Sequence, residues 1–173
     1  MTISLVLGGA RSGKSVYAEG LAKKANQTVV YVATAKVRDD AIAERVSLHQ
    51  QSRPTDWLTV ESPLELGAVL EEHAVAGTTV LVDCLTMWVT NLLCEEDSNA
   101  KLAQQQQVLF SALETVTGDV IFVSNEVGMG IIPMGELTRD YVDIAGRLHQ
   151  DIAALADHVV LIVAGLPLML KAG

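Results

Sequence analysis

The sequence predicts an α/β fold in which helices cover both faces of a mainly parallel sheet. Short apolar runs rich in β-branched residues alternate with longer helical stretches, which is typical of parallel strands connected by helices. These runs are apolar almost throughout, as expected for strands that are buried on both faces. The predicted strands are Ile3–Leu7, Thr28–Ala33, Thr79–Val82, Val120–Val123 and His158–Val163. No long linker or internal repeat divides the sequence, so we expect residues 1–173 to form a single domain.

Helical patterns fill the intervals between these strands. The first follows a glycine-rich segment, and another begins with Pro63, a residue suited to the first turn of a helix. The predicted helices are Lys14–Ala25, Asp39–Gln51, Pro63–His73, Leu85–Leu93, Ala100–Val116 and Leu137–Ala156. After Gly165, the tail Leu166–Lys171 predicts a short antiparallel strand at the edge of the sheet.

Composition and charge argue against several classes of function. The chain carries a formal net charge of -9, which would repel a phosphate backbone, and no basic stripe offsets it, so we expect no nucleic-acid partner. No window is apolar enough for a membrane span and no leader precedes the first strand, which predicts a cytoplasmic protein. The two cysteines, Cys84 and Cys94, are expected to be buried, reduced thiols.

The segment Gly8-Gly9-Ala10-Arg11-Ser12-Gly13-Lys14-Ser15 matches the phosphate-binding loop of P-loop proteins and lies between a predicted strand and a helix. Its glycines let backbone N–H groups turn toward phosphate oxygens, and the helix dipole adds to the attraction. Lys14 is expected to neutralise the β- and γ-phosphates and Ser15 to bind Mg²⁺, while Arg11 and Ser12 offer further donors. The loop predicts a nucleoside triphosphate substrate. The alternative is a structural turn with a surface lysine.

Polar residues follow two further predicted strands at the same edge of the sheet. Asp83 is expected to orient Mg²⁺ or its water shell, although an aspartate here could also cap the helix that begins near Leu85. Glu126 is interpreted as a proton acceptor, a ligand in the metal shell or a turn residue. No base-reading motif is present, so the sequence does not choose between ATP and GTP as the phosphoryl donor.

Arg45, His49 and Arg53 recur every four positions and line one face of a predicted helix if that helix continues to Pro54. This face is a candidate phosphate clamp. The flanking guanidinium groups favour a neutral His49, the form that a nucleophile requires. The alternative is a solvated histidine. The remaining histidines are interpreted as surface or helix-end residues and the tryptophans as packing residues; they are His73, His149, His158, Trp57 and Trp88.

Several of these segments, taken in chain order, resemble one enzyme family. They are the glycine loop, Ala33-Thr34-Ala35, the Arg45, His49 and Arg53-Pro54 pattern, Val82-Asp83-Cys84-Leu85-Thr86, Thr90-Asn91-Leu92-Leu93, Asn125 to Pro133, and Ala145-Gly146-Arg147-Leu148. The set spans essentially the whole chain and resembles the bifunctional adenosylcobinamide kinase / adenosylcobinamide-phosphate guanylyltransferase family. Val142 and His149 depart from the family pattern, in which arginine and asparagine are expected.

The resemblance implies a RecA-like fold, a homotrimer and an enzyme of the cobalamin pathway that works in two steps. With ATP or GTP it phosphorylates the aminopropanol hydroxyl of adenosylcobinamide, and it then transfers GMP from GTP to adenosylcobinamide phosphate, which gives adenosyl-GDP-cobinamide and pyrophosphate. The covalent intermediate that the resemblance implies is a guanylylated histidine, at His49 here. Catalytic roles fall on His49 and Lys14 and metal binding on Ser15 and Asp83. The implied nucleotide contacts are Gly8 to Ser15, Ala33, Thr34, Ala35, Gln50, Gln51, Ser52, Arg53, Glu61 and Asp83.

Two other functions fit the same glycine loop. The first is a monofunctional small-molecule kinase, in which His49 only clamps phosphate and never carries a covalent group. The second is a RecA-like NTPase switch or nucleic-acid ATPase, against which the acidic charge and the small size of the chain count.

Overall fold

A computed structural model describes residues 1–36 and 54–173. The strands are β1 (Ile3–Gly8), β2 (Thr28–Ala33), β3 (Leu58–Glu61), β4 (Thr78–Asp83), β5 (Asp119–Asn125), β6 (His158–Val163) and β7 (Leu166–Lys171). The helices are α1 (Lys14–Lys24), α2 (Leu66–His73), α3 (Leu85–Leu93), α4 (Ser98–Thr115) and α5 (Glu136–Leu155). The predicted helix Asp39–Gln51 lies outside the described residues.

The strands form one sheet in the order β3-β2-β4-β5-β1-β6-β7. Every pair from β3 across to β6 is parallel, and β7 alone runs antiparallel, against β6. Ala164 and Gly165 make the tight turn into β7, and both have positive φ values, of 52° and 79°. The mainly parallel sheet and the antiparallel edge strand are as predicted. Because β1 to β6 are parallel, their carboxyl ends share one edge of the sheet.

Helices cover both faces of this sheet. On one face α2, α3, α4 and α5 bury large apolar side chains against alternate strand residues, and Trp88 and Leu148 are almost fully buried there. On the other face α1 packs through the small residues Ala18 and Ala22. The Trp88 indole also donates a hydrogen bond of 2.7 Å to the Leu64 carbonyl, which agrees with the predicted packing role. No helix in the described ranges is long and apolar enough to cross a membrane.

The strand β3 was not predicted from the sequence. It is a four-residue strand at the edge of the described sheet, where it pairs with β2, and three of its residues are exposed. Val60 is the one that packs partly against the core. A strand with so little buried surface lacks the apolar run that indicated the central strands.

Two predictions about burial are wrong. His149 is not a surface residue: it lies in the middle of α5 with 8% of its surface exposed, because its ring turns inward to a polar partner on β5. Cys94 is not buried, because it follows the last turn of α3 and caps that helix at the surface. Both cysteines are free thiols, as expected.

Candidate functional site

The glycine loop joins the carboxyl end of β1 to the first turn of α1. Gly13 caps this helix with a φ of 97°, a left-handed conformation that only glycine adopts without strain. The Ser12 N–H donates to the Gly9 carbonyl at 3.3 Å, and the Lys14 ammonium donates to the same oxygen at 3.2 Å. The lysine charge is therefore held against the loop backbone, where the β- and γ-phosphates of a triphosphate would be neutralised.

Close contacts fix the loop against the turn between β6 and β7. A Cβ on Gly8 would lie 2.4 Å from the Ser12 Oγ and 2.8 Å from the Ile162 carbonyl oxygen, so no larger residue fits there. The Gly165 N–H donates to the Ser12 carbonyl at 2.8 Å. The Ser12 hydroxyl is itself buried and has no hydrogen-bond partner among the described residues. A buried hydroxyl of this kind fits a donor whose partner is a phosphate oxygen.

Asp83 ends β4, and the Tyr31 hydroxyl donates to its carboxylate at 3.0 Å. The capping alternative does not hold, because Cys84 is the N-cap of α3 and no side chain caps that helix. Asp83 and Ser15 offer the hard oxygen donors that Mg²⁺ prefers. No group of three or more acidic, histidine or cysteine residues in the described ranges could hold a metal by itself. This donor set fits Mg²⁺, which binds through few protein oxygens together with substrate phosphates.

Strand register aligns further predicted residues along the same edge. Glu61 pairs with Ala33 across β3 and β2, and Ala33 pairs with Asp83 across β2 and β4. On the other side of β5, Gly8 pairs with Asn125. The predicted nucleotide contacts at Glu61, Ala33, Asp83 and the glycine loop therefore lie at one edge of the sheet, where open α/β folds bind ligands.

The segment after β2 is anchored to the end of β4. The Thr34 hydroxyl donates to the Cys84 carbonyl at 2.7 Å and accepts the Cys84 N–H at 2.8 Å. Asn91, which is fully buried on α3, donates to the Thr34 carbonyl at 2.7 Å. Ala35 follows directly and is half-buried. These bonds fix the backbone where the resemblance placed nucleotide contacts.

A buried polar chain behind this edge was not found from the sequence. The Asn125 N–H donates to the Thr86 hydroxyl at 2.8 Å, the Thr86 and Ser124 hydroxyls are 3.4 Å apart, and the His149 Nε2 lies 2.7 Å from the Ser124 hydroxyl. Burial lowers the pKa of His149, and the Glu126 carboxylate opposes that shift. The sign of this chain in the sequence is Ser124, a serine at the end of an otherwise apolar run.

Burial shifts the pKa values of two further polar groups near this edge. Burial, and to a smaller extent the neighbouring Asp83 carboxylate, raise the pKa of the Cys84 thiol to about 11, although part of the residue is still exposed. Burial also raises the pKa of Tyr141, with smaller contributions from Cys84 and Glu126. Thr86 lies close enough to oppose this shift, yet the Tyr141 hydroxyl makes no hydrogen bond of normal geometry. Both groups are therefore neutral at pH 7.

Part of the predicted site lies outside the described residues. This part is the candidate clamp and the nucleophile with their neighbours: Arg45, His49, Gln50, Gln51, Ser52 and Arg53. The roles assigned to them stay predictions. Within the described ranges, the strand register places the glycine loop, Asp83, Ala33 and Glu61 along one edge of the sheet.

Three relationships to known proteins bear on this site. A family described as "Cobinamide kinase / cobinamide phosphate guanyltransferase" matches residues 4–170. The bifunctional adenosylcobalamin biosynthesis protein CobP of Pseudomonas aeruginosa is 48% identical over 167 residues, which is 96% of each chain. The bifunctional adenosylcobalamin biosynthesis protein CobU of Escherichia coli is 39% identical over 183 residues, 96% of this chain and 98% of that protein.

Among solved structures, the RadB recombinase resembles the chain with a TM-score of 0.50 and 16% identity, over 92% of this chain and 73% of RadB. At this identity the likeness shows the fold alone, which is RecA-like, as predicted. The sequence relationships extend over nearly the whole chain and include the glycine loop and the strand ends that surround it. The chain therefore belongs to the cobinamide kinase / cobinamide phosphate guanyltransferase family.

Proposed function

We propose that the chain is a bifunctional enzyme that phosphorylates adenosylcobinamide and then transfers GMP from GTP to the product. The observation that carries the proposal is the phosphate loop, held by neighbouring strands on both sides, in a chain of this family. One loop can serve two reactions if the triphosphate binds in two registers, because phosphoryl and nucleotidyl transfer both need positioning and charge neutralisation above all.

In the kinase step, the aminopropanol hydroxyl of adenosylcobinamide attacks the γ-phosphorus of ATP or GTP. The bond from that phosphorus to the β–γ bridging oxygen breaks, the hydroxyl proton is released, and a nucleoside diphosphate leaves. Lys14 and the loop N–H groups neutralise the charge that grows on the leaving phosphate. Ser15 and Asp83 would hold Mg²⁺, which supplies further charge neutralisation when bound.

In the transfer step, His49 acts as the nucleophile. A neutral imidazole nitrogen attacks the α-phosphorus of GTP, and pyrophosphate leaves toward the glycine loop. A phosphate oxygen of adenosylcobinamide phosphate then attacks the guanylyl phosphorus, and the bond to His49 breaks. The proposal requires His49 to reach the α-phosphate while the loop holds the β- and γ-phosphates.

The covalent step is tested with GTP labelled at the α-phosphate, without any corrinoid. Wild-type protein should take up label that is released by acid and survives alkali, since protonating the bridging nitrogen makes imidazole a good leaving group. His49→Ala should take up none and lose guanylyl transfer, while retaining some kinase activity. His73→Ala, a change at the last turn of α2, is the matched control and should label normally.

The outcomes separate the proposal from its alternatives. Acid-labile label on His49→Ala would place the nucleophile at another histidine. No label on wild type, together with phosphorylation of cobinamide, would indicate a monofunctional kinase. Release of orthophosphate alone from GTP and cobinamide phosphate would contradict the transferase activity.

We further propose a homotrimer that works in the cytoplasm without a nucleic-acid partner. The assembly is what the sequence resemblance implies, and the net charge of -9 supports the absence of nucleic acid. Sedimentation equilibrium gives the number of subunits. Tight, salt-sensitive binding of DNA or RNA would contradict the last part of this proposal.

A further inference from the structure

An exposed apolar surface lies between β5 and α5. Residues 127–137 have six large apolar side chains that face solvent, and we call this segment the 127–137 surface. Their exposed fractions are 39% for Val127, 78% for Met129, 97% for Ile131, 78% for Ile132, 96% for Met134 and 58% for Leu137. A contiguous apolar set of this kind is uncommon on a protein surface and marks an interaction site.

Hydrogen bonds fix the backbone at both ends of this surface. At its start, the Glu126 carboxylate accepts the N–H groups of Gly128 and Met129, the latter at 3.1 Å. Toward its end, the Arg139 guanidinium donates to the carbonyls of Pro133, at 3.3 Å, and Met134. The apolar side chains are therefore displayed by a backbone whose polar groups are partly satisfied from within.

The 127–137 surface adjoins the glycine loop. The Glu126 N–H donates to the Gly8 carbonyl at 3.0 Å, and the preceding residue, Asn125, pairs with Gly8 in the sheet. A molecule seated on this surface thus borders the phosphate site. A pocket of about 210 Å³ opens between residues 127–133 and α5. Arg139 and Asp143 add charged groups to its otherwise largely apolar lining.

We propose that the 127–137 surface binds the corrin ring of the acceptor substrate. This inference rests on the proposed function, in which the acceptor must bring a hydroxyl and later a phosphate to the triphosphate at the glycine loop. A corrin ring has broad apolar faces and a rim of amide-bearing arms. The exposed apolar side chains match a ring face, and Arg139 and Asp143 match the donors and acceptors of an amide.

Size and position favour this occupant over a second copy of the chain. A corrin ring is larger than the pocket. The ring therefore lies over the exposed side chains, while one amide arm enters the pocket between residues 127–133 and α5. The surface begins beside the glycine loop, where the Glu126 N–H donates to the Gly8 carbonyl. The acceptor has to reach the triphosphate at that loop for either reaction to occur, whereas a second subunit has no such requirement.

The test compares two double variants of the full-length protein. In Ile131→Ser/Met134→Ser, two almost fully exposed side chains are shortened, so folding should be unaffected. Each lost apolar contact should weaken cobinamide binding roughly tenfold, while GTP binding and the sedimentation mass stay unchanged. Cobinamide itself is the probe, titrated by calorimetry. The control is Leu58→Ser/Val75→Ser. These half-exposed apolar residues lie at the start of β3 and just before β4, at the opposite ends of the strands from the glycine loop. Cobinamide binding should not change in this variant.

Wild-type protein is titrated first, so that a failure to bind cobinamide at all counts against the proposed function rather than against the assignment of this surface. With wild-type binding established, unchanged affinity in the Ile131→Ser/Met134→Ser variant would overturn the assignment. A fall in sedimentation mass in that variant would also overturn it, since the surface would then join copies of the chain.

Discussion

At the residue scale, the polar chain behind the sheet edge has two proton orders that satisfy its hydrogen bonds. The Asn125 N–H can only donate, so the Thr86 oxygen accepts from it in both. In one order the Ser124 hydroxyl donates to a bare ring nitrogen of His149; in the other it accepts from the ring and donates to Thr86. Burial favours the neutral ring, whichever of its nitrogens carries the proton.

This arrangement predicts a pH dependence of stability. The folded state lowers the pKa of His149 below its unfolded value of about 6.5, so the unfolded chain binds the extra proton more readily. The stability from this residue is fully present above pH 6.5 and is lost as the pH falls through that value. His149→Asn should be less stable at pH 7.5 but should lose less stability between pH 7.5 and 5.5 than wild type.

The measurement is the free energy of unfolding in urea at pH 7.5, 6.5 and 5.5, with and without the substitution. All other side chains are the same in the two proteins, so the difference between the two curves reports on His149. Parallel curves would show that the ring binds its proton equally well in the folded and unfolded protein, which would contradict the prediction.

At the element scale, the sequence predicted the strands that are buried and missed the exposed edge strand β3. Strands β1, β2, β4, β5 and β6 are largely buried on both faces, and their nearly continuous apolar runs made them predictable. The edge strand β3 lacks that signal. In the site, the glycine loop and Asp83 were predictable because a local motif and a strand end mark them. Tyr31 and His149 were not, because their partners are 52 and 25 positions away and meet them only through the sheet order.

The contact between α2 and α4 leads to a prediction about packing. A Cβ on Gly67 would lie 2.7 and 2.8 Å from backbone atoms of Val108 and Leu109, so Gly67→Ala should force the two helices apart. We expect a destabilisation of about 1–3 kcal/mol. Gly20→Ala in α1 is the control: its Cβ would meet no atom within 4 Å, and better helix propensity should stabilise the protein by about 0.5–1 kcal/mol. Urea denaturation of both variants at one pH gives the comparison, and equal effects would contradict the close approach.

At the scale of the whole molecule, the sheet order places the glycine loop between two segments that hydrogen-bond to it. Strand β1 lies between β5 and β6, so the loop receives hydrogen bonds from the segment after each. The Glu126 N–H binds the Gly8 carbonyl, and the Gly165 N–H binds the Ser12 carbonyl. A triphosphate that binds the glycine loop therefore stabilises contacts on both sides of β1. The sequence did not predict this, because pairing order between distant strands is not a local property.

The last prediction uses this coupling to test the loop by stability rather than by turnover. A ligand present at a hundredfold excess over its dissociation constant stabilises the folded state by about 2.7 kcal/mol. For a chain of this length that corresponds to a rise in Tm of roughly 5–10 °C. GTP with Mg²⁺ should produce this rise in wild type. Lys14→Ala should abolish most of it, because the charge held against the Gly9 carbonyl is the one that neutralises the β- and γ-phosphates.

Lys24→Ala is the matched control, since it removes an exposed lysine from the far end of the same helix, and it should keep the full rise in Tm. Differential scanning calorimetry at fixed GTP concentration measures all three proteins. If Lys14→Ala keeps the full rise, GTP binds at a second place in the molecule and the glycine loop is not its main site. If Lys24→Ala loses it as well, the effect reflects the general charge of α1. Loss in Lys14→Ala alone assigns the stabilisation to the glycine loop, whose backbone is hydrogen-bonded by the segments that follow β5 and β6.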